Sequence, residues 1–154
     1  MRTPFFRPRQ KPKKLPIMFR GSTQMENEIL LVNHAYFDNI VNGRGDVEMY
    51  LTIVFRTLAG LQMAEPMDQK EEIQVIIKKA LGSLWFVGER ILKKHKVGFS
   101  GNEMIAIKEA LVLIDELHKA TTRLDHRNIY ADVAFKVGGM TLTMQSLEPF
   151  KDSV

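Results

Sequence analysis

The most informative segment of the chain reads, from residue 70 to residue 92, KEEIQVIIKKALGSLWFVGERIL. Its apolar residues recur every three or four positions, which is the period of an α-helix. They form two neighbouring stripes, the first made of Ile73, Ile77, Ala80, Leu84, Val87 and Ile91, the second of Leu81, Trp85, Gly88 and Leu92. Two adjacent stripes make a wider apolar face than one neighbouring helix covers. We therefore expect this helix either at the centre of the fold or in a homo-oligomer interface.

Three other segments have the same helical period. Each begins at a side chain that can cap a helix N-terminus, namely Thr23, Asp46 and Ser100. A glutamate follows Thr23 and Ser100 three residues later, which is the capping-box pattern. The first three helices are expected to end at residues that break helices, namely Asn42-Gly43, Pro66 and Gly98.

The sequence is compatible with two positions for the end of the fourth helix, because no Gly or Pro occurs between Asn102 and Val137. The helix either continues through Phe135 or breaks near Asn128. Four helices with short connections predict an all-α protein, an antiparallel four-helix bundle over residues 23–137. Residues 1–22 are expected to form a flexible or extended basic tail and residues 138–154 a loosely ordered C-terminal tail.

Charge is divided unevenly along the chain. The 154 residues, 45% of them apolar and 26% charged, have the composition of one soluble domain with a formal net charge of +4. Residues 1–22 contain no acid and seven cations, namely Arg2, Arg7, Arg9, Lys11, Lys13, Lys14 and Arg20. The rest of the chain holds 15 of the 22 basic side chains and all 18 acidic ones, so its net charge is −3.

The basic tail is the strongest functional signal. A proline at every fourth position from Pro4 to Pro16 favours an extended chain, which reaches about 60 Å at about 3.1 Å per residue. Cations spaced along such a chain can bind the phosphates of DNA or RNA, and Phe5, Phe6 and Phe19 can stack on bases. The alternatives are docking on an acidic protein groove, including the chain's own acidic body, or no role.

Several classes of protein are excluded or disfavoured. The chain has no cysteine, which excludes disulfides, thiol catalysis and thiolate metal sites. No apolar run is long enough to span a membrane, and no secretory signal is recognisable, so we expect a soluble cytoplasmic protein without a membrane partner. Neither a nucleophile elbow nor a phosphate-binding loop is present, and we expect no cofactor.

One pair of residues gives an enzymatic alternative. Arg90 and His95 are separated by four residues near the end of the third helix, and this spacing resembles the R-x4-6-H element of HEPN ribonucleases. The resemblance implies a metal-independent cleavage of RNA, with Arg90 and His95 as catalytic residues across a dimer. A second interpretation is that these cations complete the dipole at the helix C-terminus.

The remaining candidates are partner surfaces. Trp85, Leu81, Leu92 and His118 are predicted interface residues, with His118 either in an interface or in the core. Asp115 and His118 form one Asp-x-x-His fragment of a di-iron pattern whose other parts are missing, so no metal site is expected.

Residues 97–102 and 107–117 resemble a segment of small uncharacterised helical proteins carried by phages and plasmids of Gram-negative bacteria. The resemblance implies a mobile-element setting and no activity. We therefore expect a non-enzymatic binding or adaptor protein, a homo-oligomer, in which the tail attaches to nucleic acid or a partner. The alternatives are the HEPN-like ribonuclease and an inhibitor of a host protein without nucleic-acid contact.

Overall fold

Helices account for the regular structure throughout the computed structural model, which describes residues 23–138 and 144–153. Five helices of 16 to 25 residues are followed by a short helix and a 3₁₀ helix. They are α1 (Thr23–Val41), α2 (Val47–Met63), α3 (Lys70–Lys94), α4 (Gly101–Ala120), α5 (Arg123–Gly138), α6 (Met144–Leu147) and the 3₁₀ helix (Glu148–Ser153). The predicted all-α class is confirmed.

Two predicted N-caps are confirmed. The Asp46 carboxylate accepts a hydrogen bond from the Met49 N–H at 2.9 Å and begins α2. At α4, the Ser100 hydroxyl accepts from the Glu103 N–H, and the Glu103 carboxylate accepts from the Ser100 N–H at 2.7 Å, which is a complete capping box. Helix α1 begins at Thr23, but the side chains of residues 23–29 lie outside the described part of the structure.

The predicted ends of two helices require correction. Helix α3 ends at Lys94 and not at Gly98, because His95 adopts the left-handed conformation with φ of 53° and closes the helix. Helix α2 ends at Met63, and α3 begins only at Lys70. Pro66 therefore lies in the connection between the two helices.

The number of long helices is five and not four within the described residues, because the fourth predicted segment breaks at Thr121. Its backbone is extended there, with φ of −96° and ψ of 141°. The Thr121 hydroxyl donates to the Leu117 carbonyl, and the Thr122 hydroxyl accepts from the Asp125 N–H to begin α5. Two consecutive β-branched residues with hydroxyls end one helix and cap the next. The break is therefore earlier than Asn128.

The core lies among α1 to α4. Helix α1 contacts α2 and α4, α3 contacts the same two helices, and α2 also contacts α4 and α5. All six residues of the first α3 stripe are buried, as the helical period predicts. Gly60 allows α2 to approach α4, because a Cβ there would collide with the Ile114 side chain.

The middle of the second α3 stripe, at Trp85 and Gly88, is covered by the C-terminal segment of the chain. Helix α6 and the 3₁₀ helix pack on α3, and Leu147 is fully buried there. A Cβ at Gly88 would meet the Met144 sulfur, so the two segments are in close contact. Residues 144–153 thus correct the expectation of a loosely ordered tail. The wide apolar face of α3 is explained by a central position in the monomer.

Candidate binding surfaces

Several cations of the described body are paired with nearby acids. Six lysine or arginine side chains form ion pairs within the described residues, namely Lys70–Glu65, Arg90–Glu103, Lys93–Glu89, Lys119–Glu116, Lys136–Asp132 and Lys151–Glu148. The seven tail cations lie outside the described residues. The net charge of the body is therefore negative, and the positive excess of the chain is in residues 1–22.

Arg90 occupies a structural position between two helices. Its guanidinium lies 2.5 Å from a carboxylate oxygen of Glu103 and also donates to the Gly98 carbonyl at 3.4 Å. Because Glu103 caps α4, the ion pair joins the end of α3 to the start of α4. His95 is exposed at the α3 C-terminus. A ribonuclease role would require Arg90 to leave this carboxylate in order to contact a phosphate.

The predicted interface residues of α3 lie in three different environments. Leu81 is fully buried in the core, so it is not available to a partner. Trp85 anchors the C-terminal segment: its indole N–H donates to Glu148 at 3.1 Å, and the Lys151 ammonium lies 5.7 Å from its ring centroid. Leu92 is 46% exposed and remains accessible.

His118 is a core residue and not an interface residue. It is buried and stacks on His126, whose Nε2 donates to the His118 carbonyl at 2.8 Å. Burial, with smaller contributions from the charges of His126 and Arg56, lowers the pKa of His118 to about 3. An imidazole with this pKa is neutral at physiological pH.

A polar contact between α1 and α4 was not predicted from the sequence. His34 Nε2 lies 2.6 Å from an Asp115 carboxylate oxygen, and the Lys108 ammonium lies 3.0 Å from His34 Nδ1. The Asp-x-x-His spacing had instead grouped Asp115 with His118 along α4. A usable signal was the seven-residue spacing of Lys108 and Asp115, which places both on one helix face.

This arrangement is better suited to holding helices together than to proton transfer. Lys108 donates to one ring nitrogen of His34, and His34 donates the proton on its other nitrogen to Asp115. Neither ring nitrogen is left to accept a proton from a substrate. Within the described residues, no three His, Asp or Glu side chains are close enough to hold a metal ion.

No described helix is both long and apolar enough to cross a membrane. Comparison with protein-family models, curated proteins and solved structures found no match.

Proposed function

We propose that this chain is a non-enzymatic helical adaptor, a homodimer that attaches to DNA or RNA through residues 1–22, as an accessory protein of a bacterial mobile element. The observation that carries the proposal is the division of charge. Seven cations and no acid precede a body with a net charge of −3, in which at least six cations of the described residues are ion-paired. Attraction to a polyanion therefore comes from the tail.

The physical consequence is a strongly salt-dependent and sequence-independent affinity. Each lysine or arginine that contacts a phosphate releases a condensed counterion. If all seven tail cations contact a DNA duplex, the logarithm of the binding constant falls against the logarithm of salt concentration with a slope of about −6. Phosphate contacts fix position along the strand and carry no base preference.

The test is fluorescence anisotropy with labelled duplex DNA, single-stranded DNA and RNA of equal length over a salt series. One variant lacks residues 2–20, and a second keeps the length but replaces all seven tail cations with glutamine. A matched control is the double variant Lys78→Gln/Lys79→Gln, which removes two exposed cations of α3. We expect both tail variants to lose binding and salt dependence, while the control binds normally and the thermal melt is unchanged. Unchanged binding by either tail variant, or no binding by the full chain, would overturn the proposal.

A further inference from the structure

Helix α5 has an exposed apolar stripe on the side that faces away from the rest of the described structure. Phe135 is 87% exposed and Leu124 is 66% exposed, and the intervening Asn128 and Ala131 are exposed as well. The spacing of these four residues is four, three and four, which is the spacing of core positions in a coiled coil. Exposed apolar side chains that line one face together are typical of an interaction surface.

The opposite face of α5 packs on the body. His126 and Val133 are buried, Ile129 and Tyr130 are partly buried, and α5 contacts α2. Phe55 of α2 stacks on Tyr130 with ring centroids 5.8 Å apart. The body therefore lies behind α5, and α2 reaches the flank of the exposed stripe at Asp132, which accepts a hydrogen bond from Gln62 at 2.8 Å.

We propose that α5 pairs in parallel with α5 of a second copy of this chain. This inference rests on the proposed homodimer and assigns its interface to α5. Leu124 and Ala131 take the d positions of a two-heptad seam, and Asn128 and Phe135 take the a positions. In a parallel pair, like positions face each other, so Asn128 meets the partner's Asn128 and can hydrogen-bond to it. A buried asparagine at an a position fixes the register of such a pair.

The charges beside the seam select the parallel orientation. Arg127 is at a g position and Asp132 at an e position, and both are exposed. One oxygen of the Asp132 carboxylate pairs with Lys136 at 2.9 Å and accepts from Gln62 at 2.8 Å, so the other oxygen is the one available to a partner. In a parallel pair, Arg127 lies beside the partner's Asp132, and symmetry creates this attraction twice. In an antiparallel pair, e positions face each other, which places Asp125 beside the partner's Asp132. Like charges at that position disfavour the antiparallel arrangement.

The seam is short, and its length determines the affinity that we expect for the dimer. Two heptads bury less surface than the standard protein interface of about 1,600 Å². The dimer should therefore dissociate on dilution. Sedimentation equilibrium over a concentration series measures this for the full chain, for Phe135→Glu and for Asp132→Arg. Phe86→Glu provides a matched control, because Phe86 is an exposed phenylalanine on α3.

We expect Phe135→Glu and Asp132→Arg to raise the dissociation constant about tenfold or more, and the control to leave it unchanged. Circular dichroism should show the same helix content in all four proteins. A wild-type chain that is monomeric at every concentration overturns the proposed homodimer together with this inference. A dimer that survives both α5 substitutions overturns the α5 seam alone, because the homodimer is then held elsewhere.

Orientation is tested by cross-linking, since the natural chain has no cysteine. Leu124→Cys places the two thiols together in a parallel pair, and mild oxidation should give a disulfide-linked dimer. In an antiparallel pair, the same positions are on the order of 15 Å apart along the helix axis, by the rise of about 1.5 Å per residue, and no disulfide forms. Val75→Cys, exposed on α3, is the control for random collision. Cross-linking of Leu124→Cys no faster than this control overturns the parallel orientation.

Discussion

His118 and His126 stack across the junction of α4 and α5, with ring centroids 3.8 Å apart. His118 also accepts a hydrogen bond on its carbonyl from the His126 ring, so the two residues are joined through both ring and backbone. The Arg56 guanidinium of α2 lies 5.0 Å from the ring centroid of Tyr130, the next aromatic ring in the stack. Burial, and then the positive charges of His126 and Arg56, disfavour the protonated ring, so His118 stays neutral.

The neutral state of His118 makes stability depend on pH. Its pKa is about 3 in the folded chain and about 6.5 when unfolded, mainly because of burial. Between these values only the unfolded chain binds the proton, so stability is complete above pH 6.5 and falls as the pH decreases toward 3. The expected loss is up to about 1.4 kcal/mol per pH unit from this residue.

Urea unfolding of wild type and His118→Phe between pH 7 and pH 5 checks this prediction. Phenylalanine keeps a ring on His126 but cannot be protonated, so its free energy of unfolding should fall less over this range. His95→Asn, which suits the left-handed backbone at this exposed position, controls for the removal of a histidine elsewhere in the chain. Equal pH dependence in wild type and His118→Phe would contradict the prediction.

The ion pair between Arg90 and Glu103 should contribute measurably to stability. Glu103 is nearly buried, so Arg90→Met leaves a carboxylate without its charged partner. We expect the free energy of unfolding to fall by about 1–3 kcal/mol, because a hydrogen bond to a charged group is lost. Lys93→Met removes the exposed pair with Glu89 and should change stability little.

The same variant separates the two interpretations of Arg90. If Arg90 and His95 form a ribonuclease site, the wild type cleaves RNA without metal, and both Arg90→Met and His95→Ala abolish cleavage. We expect no cleavage by the wild type and a stability loss in Arg90→Met alone. An unchanged unfolding midpoint in Arg90→Met would show that the ion pair contributes little.

The sequence predicts those parts of the fold that depend on neighbours along the chain. The buried stripe of α3 and the caps at Asp46 and Ser100 each involve residues within one or two helical turns. The contact of His34 with Asp115 depends on how α1 crosses α4, which the spacing along either helix does not determine. The break at Thr121 has no Gly or Pro to mark it. The C-terminal segment is too short to show a helical period.

The C-terminal segment is expected to be part of the cooperative fold. Leu147 is fully buried against α3, so Leu147→Ala should lower the free energy of unfolding by about 2–5 kcal/mol. Gln145→Ala, at an exposed position two residues earlier, is the control. Trp85 is the single tryptophan and donates to Glu148, so its emission reports on this segment. Unchanged emission and stability in Leu147→Ala would show that the segment is not required.

The contact between His34 and Asp115 is expected to hold α1 on α4. Both side chains are about four-fifths buried and their atoms are 2.6 Å apart, so water screens the interaction only in part. A double-mutant cycle with His34→Ala and Asp115→Ala should give a coupling energy of about 1 kcal/mol or more, measured by urea unfolding at neutral pH. The matched cycle with His34→Ala and Lys136→Ala should be additive, because Lys136 pairs with Asp132 on α5. Additive effects in the first cycle would mean that apolar packing alone, including Leu30 and Phe37, holds α1 in place.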